Sequence, residues 1–530
     1  MEIAVKTRQD RIVVAIGLPM VTILTYAIII AVYRLYFHPL AKFPGPKIHA
    51  ISSVPGILAL LKGRLPMENK VLHDKYGPVV RVSPNELSFN SSGAWNDIYG
   101  HRPGHTNFHK SPIHVGAVDP LPNASTLTMA DDETHARQRR ALSHAFSQQA
   151  LLEQEDVLLD YVNLFIKRLG EMCDRSEHFN LVNWYNFTTF DIIGDLAFGE
   201  PFGCLDKGQF HEWVALIYET VKAGAMEQAT RRFAEPGSTI QKFLVNFIPK
   251  EKRSRRRDHL MWSQNKVLRY DSITISGQGI HKLIADTCNR RLENSKLQHK
   301  DFVWYILDQQ KRGAISQNEV IVNGALFIVA GSETTANELS GLTARLLKNP
   351  RVYTKLANEI RSAFKSEDEV TNDGLSKLPY LAACLSEGLR IHPPLPTALM
   401  RQVPKDGDTI DGYWVPGGVH VGVCAWAATH SPDNFKNPDE FIPERWLEDG
   451  WESDDKKASQ PFSTGPRGCI GRHLSYMEMR LILGRLLWNF DVITYDGLPQ
   501  WSPEGEMRYM KAYNTWEKPE MNVVLRRVQR

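Results

Sequence analysis

The chain has 530 residues, of which 42% are hydrophobic and 23% charged, with a formal net charge of +3 at pH 7. A balance this close to neutral leaves no electrostatic footprint for nucleic acid as a partner. Six cysteines, Cys173, Cys204, Cys288, Cys384, Cys424 and Cys469, lie far apart without a Cys-x-x-Cys pair, which suits a reducing compartment better than a disulfide framework, with all six expected unpaired. No low-complexity linker, internal repeat or long charge run divides the sequence, so one large folded unit over 49–530 is expected.

A tail of residues 1–11 precedes Ile12 to Tyr33, which carry no charge and are long enough to cross a hydrocarbon core of ~30 Å at ~1.5 Å per residue. The stretch predicts a retained transmembrane anchor over 12–33. A cleaved signal peptide would have an apolar region of about 7–15 residues and a small-residue cleavage site, which is not seen here. Lys6, Arg8 and Arg11 precede the span and Arg34, Lys42 and Lys47 follow it, so basic residues alone do not orient it. Glycosylation sequons start at Asn90, Asn123 and Asn186 and matter only if the main unit is luminal. Residues 34–48 contain Pro39, Pro44 and Pro46, which fix φ, cannot continue a helix and predict a stiff hinge at the membrane exit.

His101, His105 and His109 recur every four residues, but Gly100, Pro103 and Gly104 argue for a loop rather than a metal-binding helix face. A basic run of Lys250, Lys252, Arg253, Arg255, Arg256 and Arg257 follows apolar Phe243 to Ile248; a membrane-surface contact and a solvated basic face are both open there. Ser316-Gln317-Asn318-Glu319 reads as a capping box, and the apolar pattern after it predicts a helix of about 30 residues, ~45 Å long, that stops before Pro350. Inside it Ala330-Gly331-Ser332-Glu333-Thr334-Thr335 breaks the pattern of a core helix, since Gly and Thr are weak helix formers. Such a violation suits a functional site, with a hydrogen-bond ladder opened enough to admit a ligand or water; a capped polar surface patch is the bland alternative. Pro379 to Ile391 predicts another helix, on which Glu387 and Arg390 at i and i+3 share one face.

Cys469 sits in Phe462-Ser463-Thr464-Gly465-Pro466-Arg467-Gly468-Cys469-Ile470-Gly471, a glycine-punctuated loop that runs into a helix-patterned segment. Backbone N–H groups at a helix mouth, the positive end of the dipole, and Arg467 and Arg472 are expected to favour the ionised sulfur. A thiolate of this kind pushes electron density onto haem iron and favours O–O cleavage. The bland reading is a small buried hydrophobe. Zinc would need further Cys or His ligands, where only His473 lies nearby, and an iron–sulfur cluster would need about four clustered cysteines.

The spacing Phe-x-x-Gly-x-Arg-x-Cys-x-Gly resembles the haem loop of the cytochrome P-450 family, and the features above follow that family's order along nearly the whole chain. The resemblance implies a mainly α fold with small β-sheets (α+β) behind one N-terminal transmembrane helix, and heme b with its iron bound by Cys469. Phe462 and Arg467 belong to the same loop, and Arg467, Arg139 and Arg401 match propionate-binding arginines; His135 stands where the family usually has a tryptophan. The resemblance assigns Glu333 and Thr334 to proton delivery during dioxygen activation. It makes Glu387, Arg390 and Arg445, the last in Pro443-Glu444-Arg445-Trp446, a structural triad. It further implies NADPH-cytochrome reductase and cytochrome b5 as electron-donating partners, since no nucleotide or flavin motif is present. The implied site is the endoplasmic reticulum membrane, single-pass, with a cytoplasmic catalytic domain.

Stretches such as Leu35-Tyr36-Phe37-His38-Pro39-Leu40 and Ala130-Asp131-Asp132-Glu133-Thr134-His135-Ala136-Arg137 are similar to fungal members of natural-product pathways, including trichothecene hydroxylases. The implied activity is monooxygenation of an apolar small molecule, a terpenoid or polyketide intermediate, with substrate contacts from about 101–128, 205–265, 395–400 and 508–514. Two rivals differ in chemistry. A haem-thiolate that rearranges or dehydrates an oxygenated substrate would have no use for Glu333-Thr334, and a haem sensor or electron carrier would show no substrate-dependent NADPH oxidation.

Overall fold

Apolar residues near the N-terminus coil into one helix, α1 (Arg8–Val32), which continues as a π-turn over Tyr33–Phe37. The computed structural model describes residues 8–114, 121, 123–250, 302–447, 449–501 and 509–529. Among the described residues, the window apolar enough to cross a membrane is Gly17–Phe37, none of it buried against the rest of the protein. Coiling stops at His38, whose ψ of 141° is extended, as the residue before a proline should be. The extended backbone of the proline-containing stretch therefore begins at 38.

Helices dominate the remainder, with small sheets, as a mainly α (α+β) fold requires. Those that position the site are α2 (Asp132–Ser143), α3 (Glu155–Asp174), α4 (Leu181–Phe198), α5 (Gln317–Lys348), α6 (Pro350–Ala363), α7 (Pro379–Ile391) and α8 (Arg472–Asn489). α5 starts with the expected capping box, Ser316 accepting from the Glu319 N–H while the Glu319 carboxylate takes the Ser316 N–H. It runs unbroken to Lys348 because nearly every residue from Ser332 to Leu346 is buried against neighbouring helices. Its partner α4 approaches closely: a Cβ on Gly331 would meet Ile193 at 2.9 Å, and Tyr185 Oη bonds Thr343 Oγ1 at 2.8 Å.

A five-stranded sheet combines β1 (Val79–Ser83), β2 (Glu86–Phe89), β3 (His109–Lys110), β4 (Arg401–Gln402) and β5 (His420–Val423) in the order β1-β2-β5-β4-β3. Only the β2–β5 pairing is parallel within it. Its register sets Lys110 opposite Arg401, and Arg401 opposite Val421. A hairpin of β6 (Lys511–Tyr513) and β7 (Thr515–Glu517) turns at Asn514, which has φ of +79°. It delivers Trp516 into the core, where the indole N–H donates to the Pro393 carbonyl at 2.8 Å.

Two of the three sequon asparagines, Asn90 and Asn186, are buried, and Asn186 donates to the Val182 carbonyl within α4. Neither offers a side chain to a glycosyl donor. Five cysteines are free, while Cys288 lies outside the described residues. So does the basic run beyond Lys250.

Candidate active site

The loop before α8 is held by its own backbone. The Cys469 N–H donates to the Phe462 carbonyl at 2.8 Å and the Gly468 N–H to Gly465 at 3.0 Å. Gly465 has φ of +72°, and a Cβ there would lie 2.0 Å from the Tyr99 carbonyl, so no side chain fits. Phe462 stacks on Tyr476 with centroids 5.2 Å apart. Cys469 is accessible at the end of this loop, yet protein surrounds it densely. Burial pushes its thiol pKa up, and the Gly471 N–H with Arg139 and Arg472 only partly offset that. The Gly471 N–H and Arg472 pull toward the thiolate as expected, against the desolvation of the sulfur. Arg467, expected to assist, is engaged elsewhere.

Arg467 Nη2 donates to the Ala130 carbonyl and to Asp132 Oδ1, both at 2.8 Å, while its Nη1 is buried without a partner. Arg139 Nη1 donates to the Gly468 carbonyl at 2.7 Å, tying α2 to the cysteine loop. Arg401 is buried with its guanidinium 5.0 Å from the Tyr99 ring centroid. These three arginines and His135 line one cavity of about 360 Å³. Burial, then Arg467 and Arg139, depress the His135 pKa to about 4, so the imidazole is neutral at pH 7 and keeps one N–H to donate.

Lys110, absent from the sequence reading, belongs to the same cluster. Burial, followed by Arg401 and Arg467, lowers its pKa well below the ordinary lysine value. No motif marks it, because only the β3–β4 register places it beside Arg401. Against these cations stands Asp132, whose pKa burial raises but which Arg467 and His109 hold below the ordinary carboxylate value. The surplus of cations here, with buried Arg401 and an unpartnered Arg467 N–H among them, fits a ligand carrying carboxylates.

On α5, Thr334 Oγ1 donates to the Ala330 carbonyl at 2.7 Å and Ser332 Oγ to Ile328 at 2.5 Å. The helical ladder of α5 is continuous here, so the expected opening at Gly331-Thr334 is not present. Gly331 instead permits the close approach of α4. Glu333 is buried; its Oε1 accepts from Lys518 Nζ at 2.7 Å and Asn337 Nδ2 at 2.9 Å. Thr335 Oγ1 lies 3.2 Å from Ser475 Oγ, joining α5 to α8.

Glu387 on α7 accepts from Arg390 through both oxygens at 2.8 Å and from Arg445 Nε at 3.1 Å, with all three side chains fully buried. Two members of this group were not foreseen. Asp454 takes Arg445 Nη1, and the Trp446 indole donates to Glu387 Oε2 at 2.9 Å. Asp454 lies in an irregular segment whose sequence gives no periodic signal. Of the histidine triplet, none is helical: His105 pairs with Asp408 at 3.1 Å and His109 with Asp132 at 2.8 Å.

Set against known proteins, the model of the cytochrome P-450 family matches residues 52–514. The chain is 44% identical over 518 residues to cytochrome P-450 monooxygenase aba2 of Botryotinia fuckeliana, covering 96% of this chain and 94% of that protein. It is 41% identical over 529 residues to ABA2 of Pyricularia oryzae, at 97% of each chain. Over 520 residues it is 41% identical to astA of Talaromyces wortmannii, at 98% of each. The chain belongs to the cytochrome P-450 family, whose members are haem-thiolate enzymes with an iron cofactor. Membership makes it an oxidoreductase that incorporates oxygen, draws electrons from a redox partner and acts on a small molecule. Haem suits the residues present: an accessible cysteine sulfur lies two residues after Arg467 in the loop that lines a cavity with Arg139 and buried Arg401, and these arginines can receive two propionates.

Proposed function

We propose that the chain is a membrane-anchored, NADPH-dependent monooxygenase that hydroxylates or epoxidises an apolar terpenoid or polyketide intermediate of secondary metabolism. The observation that carries this is the meeting of Arg139, Arg401, Arg467 and His135 around one cavity, from three separate stretches of chain, with Arg139 tied to the Gly468 carbonyl next to Cys469. Cys469 would be the proximal ligand. Arg139, Arg401 and Arg467 would hold the propionates, with His135 and Lys110 beside them, because arginine's planar fork suits carboxylates and stays charged. Bound haem supplies the oxygen chemistry, in which one atom of O₂ enters the substrate and the other leaves as water.

The protein's own share is to orient substrate, exclude water and move protons, with Glu333 and Thr334 as the proton relay. Glu387, Arg390 and Arg445 would brace the segment that leads into the cysteine loop. Residues 101–114 and 395–400 and the β6–β7 turn stand as substrate-contact segments; parts of 101–128, 205–265 and 508–514 lie outside the described residues. The Gly17–Phe37 helix fits a single-pass anchor in the endoplasmic reticulum with the catalytic unit cytoplasmic, where NADPH-cytochrome reductase and cytochrome b5 would dock.

The test is reconstitution of the haem-loaded full chain with the reductase and NADPH, against a panel of cyclised terpenes and aromatic polyketides. Substrate-dependent NADPH oxidation with a product heavier by one oxygen atom is expected. Haem binding without any such oxidation would favour a sensor or carrier.

A further inference from the structure

Glu333 does not stand alone in the core. Its carboxylate and the Lys518 ammonium are each only 3% exposed, and they meet at 2.7 Å. Lys518 comes from the strand end just beyond β7, far along the chain, where Trp516 is anchored by the Pro393 carbonyl and stacks on His392 at 5.2 Å. Asn337, one turn along α5, holds the same oxygen at 2.9 Å and reaches toward the Trp516 carbonyl at 3.5 Å. Glu333 Oε2 and Asn337 Oδ1 are buried with no partner, as is His392 Nε2.

A buried carboxylate without a counter-charge takes up a proton, because desolvation disfavours its charged form; an ammonium at hydrogen-bond distance reverses that preference. Glu338, one turn farther along α5, shows the alternative. It is fully buried with both oxygens unpartnered, and burial drives its pKa well above the ordinary value. The two glutamates share a helix and differ in having Lys518. Oε1 is fully committed to Lys518 and Asn337, which leaves Oε2 as the oxygen able to exchange protons.

We infer that Lys518 is a positioning residue for proton delivery: its buried ion pair fixes Oε1 of Glu333 and leaves Oε2 as the oxygen through which protons are relayed. The inference rests on the reading of Glu333 as a proton donor. It adds that the hairpin bearing the β6–β7 turn and the proton-donating helix are joined by one buried ion pair, so a substrate pressing on that turn alters the donor's setting. Asn337 alone cannot do this, since an amide neutralises no charge.

The test needs no substrate. Haem-loaded full chain with reductase and NADPH reduces O₂ either to hydrogen peroxide, using two electrons and two protons, or to two waters, using four of each. The peroxide formed per NADPH consumed therefore reads proton delivery. Lys518→Met is expected to raise that ratio severalfold, Lys518→Arg to restore it, and Glu333→Gln to raise it as much with no added effect of Lys518→Met in the double variant. Infrared difference spectra give a readout independent of turnover: Lys518→Met should show a protonated-carboxyl band that disappears when Glu333→Gln is added. Carbon-monoxide difference spectra check that each variant folds and loads haem; should Lys518→Met fail to load, Lys518→Gln replaces it. Unchanged peroxide ratio and no new band in Lys518→Met, with Glu333→Gln uncoupled, would overturn the inference alone. An unchanged ratio in Glu333→Gln would remove the proton-donor reading of Glu333 and the inference with it.

Discussion

Gly341 illustrates how single residues set the spacing of the core. A Cβ there would lie 2.2 Å from His392 Cδ2, and that ring is itself held between α5 and Trp516. Gly341→Ala brings two opposed effects. Helix propensity gains about 1 kcal/mol, whereas overpacking a filled core costs about 1–3 kcal/mol and here has no flexible side-chain tip to move. Net destabilisation is expected, seen as a lower unfolding temperature; a variant as stable as the wild type would show that His392 can shift. Gly331 is of the same kind, which explains why a glycine that reads as a functional interruption in sequence serves first as a contact surface. A one-dimensional pattern cannot separate those roles, because both leave a gap in the apolar repeat.

At the scale of elements, α5 and α7 were legible to the residue: the capping box, the stop before Pro350 and the span Pro379–Ile391 all stand in the structure. Local signals fixed them, since caps and prolines act over a few residues. What escaped were partners supplied from far along the chain, namely Asp454 for Arg445, Lys518 for Glu333, and Lys110 for Arg401. Asp454 carries a direct prediction. Removing one member of a buried ion pair costs about 3–5 kcal/mol, against about 0–1 kcal/mol for a surface pair. Asp454→Ala should therefore lower the unfolding temperature and speed haem loss, while Asp454→Asn, which keeps a hydrogen-bond acceptor, should lose less. A loss in Asp454→Ala no larger than that of a surface pair would mean that Lys436 and Asn437, whose carbonyls also accept from Arg445, suffice.

For the whole molecule, stability against pH follows from histidines buried as neutral bases. Burial depresses His73 to about 4 and His392 to about 3, from the ordinary 6.5. In each case the unfolded chain binds protons that the folded chain refuses between the two values, so stability is complete above pH 6.5 and falls as pH drops toward 3. Glu319 and Glu444, both held at about 2 against burial by their arginine, lysine or backbone partners, extend the loss below pH 4.5. Unfolding temperature should decline steadily from pH 6.5 downward; a flat profile between pH 7 and 4 would mean these histidines are protonated in place. The order of elements, the fold class and the cysteine loop were readable from sequence because each rests on local chemistry. The desolvation that opposes the Gly471 N–H and Arg472 at Cys469 was not, since it depends on how densely the folded chain surrounds the sulfur.

The central claim is that Cys469 is the iron's ligand, and the most direct measurement is the absorption spectrum of the dithionite-reduced, carbon-monoxide-bound protein, compared between wild type and Cys469→Ser. A strongly red-shifted Soret band in the wild type that is lost in the variant is the expected result. Haem-loaded, folded wild type without that band, or a variant that retains it, would contradict thiolate ligation by Cys469.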